Sequence, residues 1–136
     1  MPATPTFWER LERRVSATPD APMLIDEGDT QITYAEYRDA ALRAASGFHE
    51  QGVGPDSRVS LQLPTRIGTI IVMGALSRLG AVQNPIVPIY RESEIDFCLR
   101  ETGADFLCVS DEAENVDYAG LMARSESGIT LLSCLL

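Results

Sequence analysis

Three times between Tyr34 and Ser110 a helix-like stretch runs into a glycine and then into an apolar, β-branched stretch: ALRAASGFHEQGVGPDSRVSLQL, IVMGALSRLGAVQNPIV and DFCLRETGADFLCVS. Gly52, Gly80 and Gly103 stand where a helix C-terminus calls for a left-handed residue, a backbone region open to glycine because it has no Cβ. A strand follows each one. Strands separated by helices of this length pair in parallel, since a parallel pair needs a long crossover. The rhythm predicts an α/β fold, a parallel sheet flanked by helices.

The remaining elements fit around that frame. Phe7, Leu11 and Val15 recur every four residues with Trp8 beside them, predicting a helix over 7–16 that the stretch 17–22 ends. Residues 23–25 and 31–33 flank the polar DEGDT, which predicts a small N-terminal hairpin turned through Glu27, Gly28 and Asp29. Thr33 followed by Glu36 is a capping box, and Ile32 with Tyr37 a hydrophobic staple, so a helix begins at Tyr34 and runs to Gln51. Tyr34, Tyr37, Ala41, Ala45 and Phe48 share one face, and Ala41, Ala44 and Ala45 suit close approach to a sheet.

Residues 57–63 then read as a strand ended by Pro64, with Thr65 placed to cap a helix over 66–79 that is apolar around most of its circumference and so expected to be buried. A strand over 82–87, a helix over 92–102 with Ile95, Cys98 and Leu99 inward, and a strand over 106–110 follow. After the acidic stretch 111–117 come a short helix over 118–124 and an apolar β-like run over 129–136. A strand that sticky at the end of the chain predicts a sheet that continues in further polypeptide.

Length and charge narrow the function. The 136 residues suffice for one domain with a real core. The net charge of −9 is uneven: residues 91–136 carry ten acids against Arg91, Arg100 and Arg124. Such a surface repels nucleic-acid phosphate, so no nucleic-acid partner is expected. All eleven basic residues are arginine, which removes Schiff-base chemistry and a phosphate-loop lysine. No apolar N-terminal core region precedes the helix, and the longest apolar run, 67–76, is too short to span a bilayer. The expectation is a cytoplasmic protein without a transmembrane segment.

Candidate chemistry is sparse. Cys98, Cys108 and Cys134 lack CxxC spacing and lie among apolar neighbours, which predicts buried reduced thiols, and the single His49 has no partner at ligand spacing, so no metal site is expected. Gly52-Val53-Gly54-Pro55 follows a helix and precedes a strand, the reverse of the order a dinucleotide-binding turn needs. Glu92, Glu94 and Asp96 sit in the first turns of a helix, where its dipole favours acids. Arg91 beside Tyr90 lies at the C-terminal end of a strand, where open α/β sheets bind ligands. No catalytic residue is assigned.

The ordered series TYAEY, GVGPDSRVSLQLPT, GALSRLGAVQNPIVPIYRESEI and LRETGADFLCVSD resembles the opening of the adenylate-forming enzymes, and among them the acyl-CoA synthetases, from about Phe7 to Asp111. The resemblance implies that residues 1–136 are the first part of the large N-terminal domain of an AMP-forming acyl-CoA synthetase. It implies a carboxylic or fatty acid substrate, with ATP, Mg2+ and CoA as the full enzyme's cofactors. The family's phosphate loop, acidic Thr-Glu motif, ribose-binding Asp, hinge and lysine-bearing lid domain lie downstream of this region, so the 136 residues alone are expected to be inactive. By the same resemblance Pro88, Tyr90 and Arg91 match a loop bordering the pantetheine end of a CoA channel. The alternative is a non-catalytic truncated α/β module that binds a ligand or forms a homodimer through an exposed sheet edge.

Overall fold

The structure, a computed structural model, describes residues 1, 3–113, 115–125 and 128–134. In chain order the elements are α1 (Phe7–Ala17), β1 (Pro22–Ile25), β2 (Gln31–Thr33), α2 (Tyr34–Glu50), β3 (Arg58–Gln62), α3 (Ile67–Leu79), β4 (Val82–Pro85), α4 (Glu92–Thr102), β5 (Phe106–Ser110), α5 (Tyr118–Arg124) and β6 (Thr130–Cys134). They divide into two compact units where the length alone suggested one: Met1–Val53 with Arg66–Gly80, and Gly54–Thr65 with Ala81–Leu136.

The first unit is built from α1, the β1–β2 hairpin, α2 and α3. Two capping boxes start its helices. Glu9 N–H donates to Thr6 Oγ1 at 3.2 Å while Thr6 N–H donates to Glu9 Oε2 at 2.7 Å, and Thr33 and Glu36 repeat the exchange at 3.2 and 2.7 Å. Each box satisfies amides that a helix N-terminus leaves without partners. The hairpin pairs Leu24 with Ile32 and Ile25 with Gln31, and Asp26 Oδ1 accepts from the N–H groups of Gly28 and Thr30, both at 2.9 Å, to hold the turn.

Leu11, Val15 and Tyr37 are the buried centre of this unit, with Trp8, Met23, Leu24, Ile32, Tyr34, Ile70 and Ile71 packed around them. Phe7, expected on the buried face of α1, is 47% exposed, and Trp8 takes the inward place. Residues 8, 11 and 15 share a side of the helix at i, i+3 and i+7, while Phe7 lies at the edge of that stripe in the first turn. Within the unit α2 lies on α3, another helix, where the alanines of α2 suggested a sheet as neighbour. At the start of α3, Arg66 and not Thr65 occupies the N-cap position. At its end Gly80 takes φ 73°, the left-handed cap the sequence called for.

The second unit holds the sheet. Its strand order is β4-β3-β5-β6, every neighbour parallel, with Val59 opposite Phe106, Arg58 opposite Val82 and Cys108 opposite Leu132. The α/β expectation with a parallel sheet flanked by helices is borne out. All five residues of β5 are buried, as an interior strand of a parallel sheet requires. Leu107 and Val109 of β5 pack with Ile86, with Ile95 and Leu99 of α4 and with Leu121 of α5. Alternation then turns Phe106, Cys108 and Ser110 to the opposite face.

β4 is shorter than its apolar pattern suggested, ending at Pro85 and not at Val87. One further ladder bond, from Ile86 N–H to Leu61 O at 2.8 Å, is made before the chain turns away. Residues 135 and 136 of the expected last strand lie outside the described residues.

Candidate functional site

The C-terminal ends of β3, β4 and β5 bring together Gln62, the loop 87–91 and the residues after Ser110, the edge at which open parallel sheets meet their ligands. The loop closes on itself through Tyr90 N–H donating to Val87 O at 3.2 Å. Its shape is then fixed from below. Gln62, buried at the end of β3, donates from Nε2 to Val87 O and to Tyr90 O, each at 3.0 Å, and its Oε1 accepts from the Tyr118 hydroxyl of α5. One amide therefore uses both donors and its acceptor to pin two carbonyls of the loop and the first residue of the next helix but one. Burial pushes the Tyr118 phenol above its ordinary value, with Arg91 pulling it down and Glu92 pushing it up.

What the pinned loop presents is partly apolar. Ile89 is 79% exposed and Tyr90 38%, and Val87, Pro88 and Arg91 are exposed as well. Beside them lies a shallow groove of about 300 Å³ lined by Tyr90, Ser93, Glu94, Phe97 and Cys98. The structure thus gathers Pro88, Tyr90 and Arg91 on one exposed loop, a cation and a phenol beside aliphatic surface. Such a set suits a ligand that is anionic at one point and apolar along its length.

Each of the acidic trio has a partner within the protein. Glu94 Oε2 accepts from Arg91 N–H at 3.0 Å, and its carboxyl is held below the usual range by the amides of Glu94 itself and of Arg91. Glu92 Oε1 accepts from Asp117 N–H at 3.4 Å, and Asp96 pairs with Arg100 at 3.0 Å. Among the described residues no group of three or more His, Cys, Asp or Glu is arranged to hold a metal ion, and no helix is long and apolar enough to cross a membrane. His49 is exposed near the end of α2. Gly52 takes φ 95° in the turn between α2 and β3, and Gly54 N–H is satisfied by Ser57 Oγ at 3.0 Å, a chain reversal with no amides left open as a phosphate cradle.

Reading the residues missed Gln62 and Tyr118. A glutamine in the apolar strand RVSLQL was the available signal, because a polar side chain buried in a parallel sheet must find partners. The Thr6–Glu9 capping box was equally legible in TFWE.

The sequence pattern of a family described as AMP-binding enzyme matches residues 11–132. Among similar proteins are the salicyl-AMP ligase / salicyl-S-ArCP synthetase of Mycobacterium tuberculosis, 35% identical over 104 residues, covering 74% of this chain and 18% of that protein. The 2,3-dihydroxybenzoate-AMP ligase of Bacillus subtilis is 32% identical over 127 residues, covering 93% and 23%. Bacitracin synthase 2 of Bacillus licheniformis is 31% identical over 110 residues, covering 81% and 4%. The chain therefore spans about a quarter or less of the length of these relatives. A fatty acyl CoA synthetase of Mycobacterium tuberculosis superposes with a TM-score of 0.82 at 19% identity, covering 95% of this chain and 26% of that one, a likeness of fold. With nine-tenths of its length inside the matched pattern, the chain belongs to the AMP-binding enzyme family.

Proposed function

We propose that residues 1–136 form the N-terminal portion of an AMP-forming acyl-CoA synthetase, and that the loop carrying Pro88, Tyr90 and Arg91 borders the path by which the pantetheine arm of CoA reaches the acyl group. The observation that carries this reading is the loop itself: it stands at the C-terminal edge of the parallel sheet, is pinned by Gln62, and turns a cation and a phenol outward beside aliphatic side chains. Arg91 meets phosphate or pyrophosphate charge as a fork of donors, and Pro88 with Tyr90 offers the flat apolar wall that a pantetheine chain follows. ATP and Mg2+ belong to the reaction that the family performs on a carboxylic or fatty acid. Glu92, Glu94 and Asp96 do not fit a metal site, since each is engaged by an amide or by Arg100. This portion accordingly serves as scaffold and channel wall.

A second reading is favoured by a specific observation. Relatives more than 30% identical are named as a salicyl-AMP ligase, a 2,3-dihydroxybenzoate-AMP ligase and a bacitracin synthase, the first of them also for a product written salicyl-S-ArCP. In that reading the acid is aromatic or an amino acid, and the acceptor is a carrier protein in place of free CoA.

The test begins with the mass of the polypeptide that carries this segment in its native cells, detected by an antibody to it. A species several times heavier than 15 kDa is assayed for acid-dependent exchange of pyrophosphate into ATP, then for transfer to CoA and to carrier protein. Arg91→Ala in that polypeptide is expected to raise KM for CoA several-fold and to leave exchange unchanged. Carboxylate-dependent exchange by the isolated 136 residues overturns the proposal.

A further inference from the structure

Two of the three thiols meet inside the sheet. Cys108 in the middle of β5 and Cys134 at the end of β6 project to one face, because Cys108 stands opposite Leu132 and Cys134 lies two residues further along the same strand. Their sulfur atoms are 2.9 Å apart, which leaves about 0.9 Å to the length of a disulfide bond. Cys98, half-buried on α4, packs with the core on the other side of β5, with Leu107 and Val109. The thiols therefore form one pair and one bystander.

We infer that Cys108 and Cys134 are a redox-active dithiol, closing to a disulfide that ties β6 to β5 when the protein meets a two-electron oxidant of the peroxide class. This site is separate from the loop at 87–91 and uses no group of the proposed reaction.

The placement assigns an order to the two steps. Cys108 is fully buried and Cys134 8% exposed, so peroxide reaches Cys134 first. The bond between the two sulfurs, in which either thiol can donate, holds the Cys134 thiol below its ordinary value, with burial and Asp111 opposing, while the same bond and burial push Cys108 up. The Cys134 thiolate attacks one peroxide oxygen, the O–O bond breaks, and with one proton taken up the products are a sulfenic acid and water. The Cys108 sulfur then attacks the sulfenic sulfur, the S–O bond breaks, and the departing hydroxide takes the Cys108 proton to leave as a second water. Two electrons pass from the thiol pair to the peroxide, and no further reductant is needed.

The chain's own arginines make the test clean. Cleavage after Arg91, Arg100 and Arg124 places Cys98 in 92–100, Cys108 in 101–124 and Cys134 in 125–136, so each possible disulfide yields a distinct peptide pair. The folded 136-residue chain is treated with stoichiometric hydrogen peroxide, unfolded in N-ethylmaleimide, digested and weighed. The expected result is a loss of two hydrogens from the chain, one maleimide adduct instead of three, and a link between 101–124 and 125–136 in at least ten-fold excess over either link to 92–100. Cys134→Ser is expected to abolish the two-hydrogen loss with Cys98 still present. Equal yields of the three links, a dominant link to Cys98, or oxygen addition without linkage each overturns the inference. A two-hydrogen loss that persists in Cys134→Ser does the same.

Discussion

Gly74→Ala is the sharpest test of how the first unit is packed. In a helix interior alanine is favoured over glycine by about 1 kcal/mol, so propensity alone says this change in α3 stabilises. The geometry says the opposite. A Cβ at position 74 would lie 2.2 Å from Tyr37 Oη, 2.9 Å from its Cζ and 3.2 Å from its Cε1. The ring cannot swing away freely, because Tyr37 is 1% exposed and its hydroxyl donates to Ile70 O at 2.8 Å. Relieving the contact means moving α2 from α3, at the 1–3 kcal/mol typical of overpacking, or giving up a hydrogen bond worth about 1 kcal/mol. After the propensity gain of about 1 kcal/mol, the expected net effect is a loss of about 0–2 kcal/mol, where propensity alone would stabilise. Trp8, the chain's single tryptophan, packs in this unit's core, so its fluorescence during urea unfolding reads the change as a lower midpoint at unaltered slope. Tyr37→Phe removes the nearest atom, so Gly74→Ala in that background is expected to cost about 1 kcal/mol less than it does alone. A Gly74→Ala chain more stable than the parent by the full propensity gain of about 1 kcal/mol refutes the reasoning, since it would mean that the ring yields at no cost.

The same ring carries a pH signature. Burial raises the Tyr37 phenol to about 12, so the stability that depends on its neutral form is whole below the unfolded value near 10 and is lost as pH rises through about 12. Alkaline absorbance titration should show one tyrosinate forming late, and Tyr37→Phe should remove that step. Glu36 is shifted the other way by the Thr33 amide and hydroxyl, so its contribution is present above about pH 4.5 and fades as pH falls through its lower folded value. Glu36→Gln should flatten the acid limb of a stability profile, and Thr33→Ala, which loses the cap, should cost about 1 kcal/mol at neutral pH. Gln62→Ala leaves the carbonyls of Val87 and Tyr90 and the Tyr118 hydroxyl without their partner, an expected loss of about 3 kcal/mol. Hydrogen exchange should speed at the Tyr90 amide in that variant before it changes in β5, and equal protection of the loop in parent and variant would contradict the anchoring role.

Local rules carried most of the fold into view. The Thr33–Glu36 box sets a helix start to the residue, and Gly80 and Gly103, at φ 73° and 59°, end helices because no side chain has to fit there. Burial of β5 on both faces follows from FLCVS having no charged residue to expose. Where the reading slipped, tertiary context outranked pattern. Phe7 satisfies a four-residue repeat yet is exposed, since Trp8, in phase with Leu11 and Val15, fills the inward place. Alanine spacing on α2 shows that something packs closely there. It does not distinguish a sheet from the glycine-bearing face of α3.

The loop at 87–91 shows why a site of this kind is only half legible. Its members are contiguous, so VPIYR could be picked out as one stretch at a strand's end, and the structure keeps Pro88, Tyr90 and Arg91 together and exposed. Its support is not contiguous: Gln62 lies 25 residues before Val87 and Tyr118 56 residues after Gln62, and only the parallel pairing of β3 with β4 and β5 makes them neighbours. The thiol pair has the same character, since Cys108 and Cys134 are 26 residues apart and meet through the register of β5 on β6. Spacing rules detect motifs whose geometry a single turn or helix supplies. A crossover sheet brings its polar partners together through strand order, so the residues that hold a site in shape emerge only once that order is known.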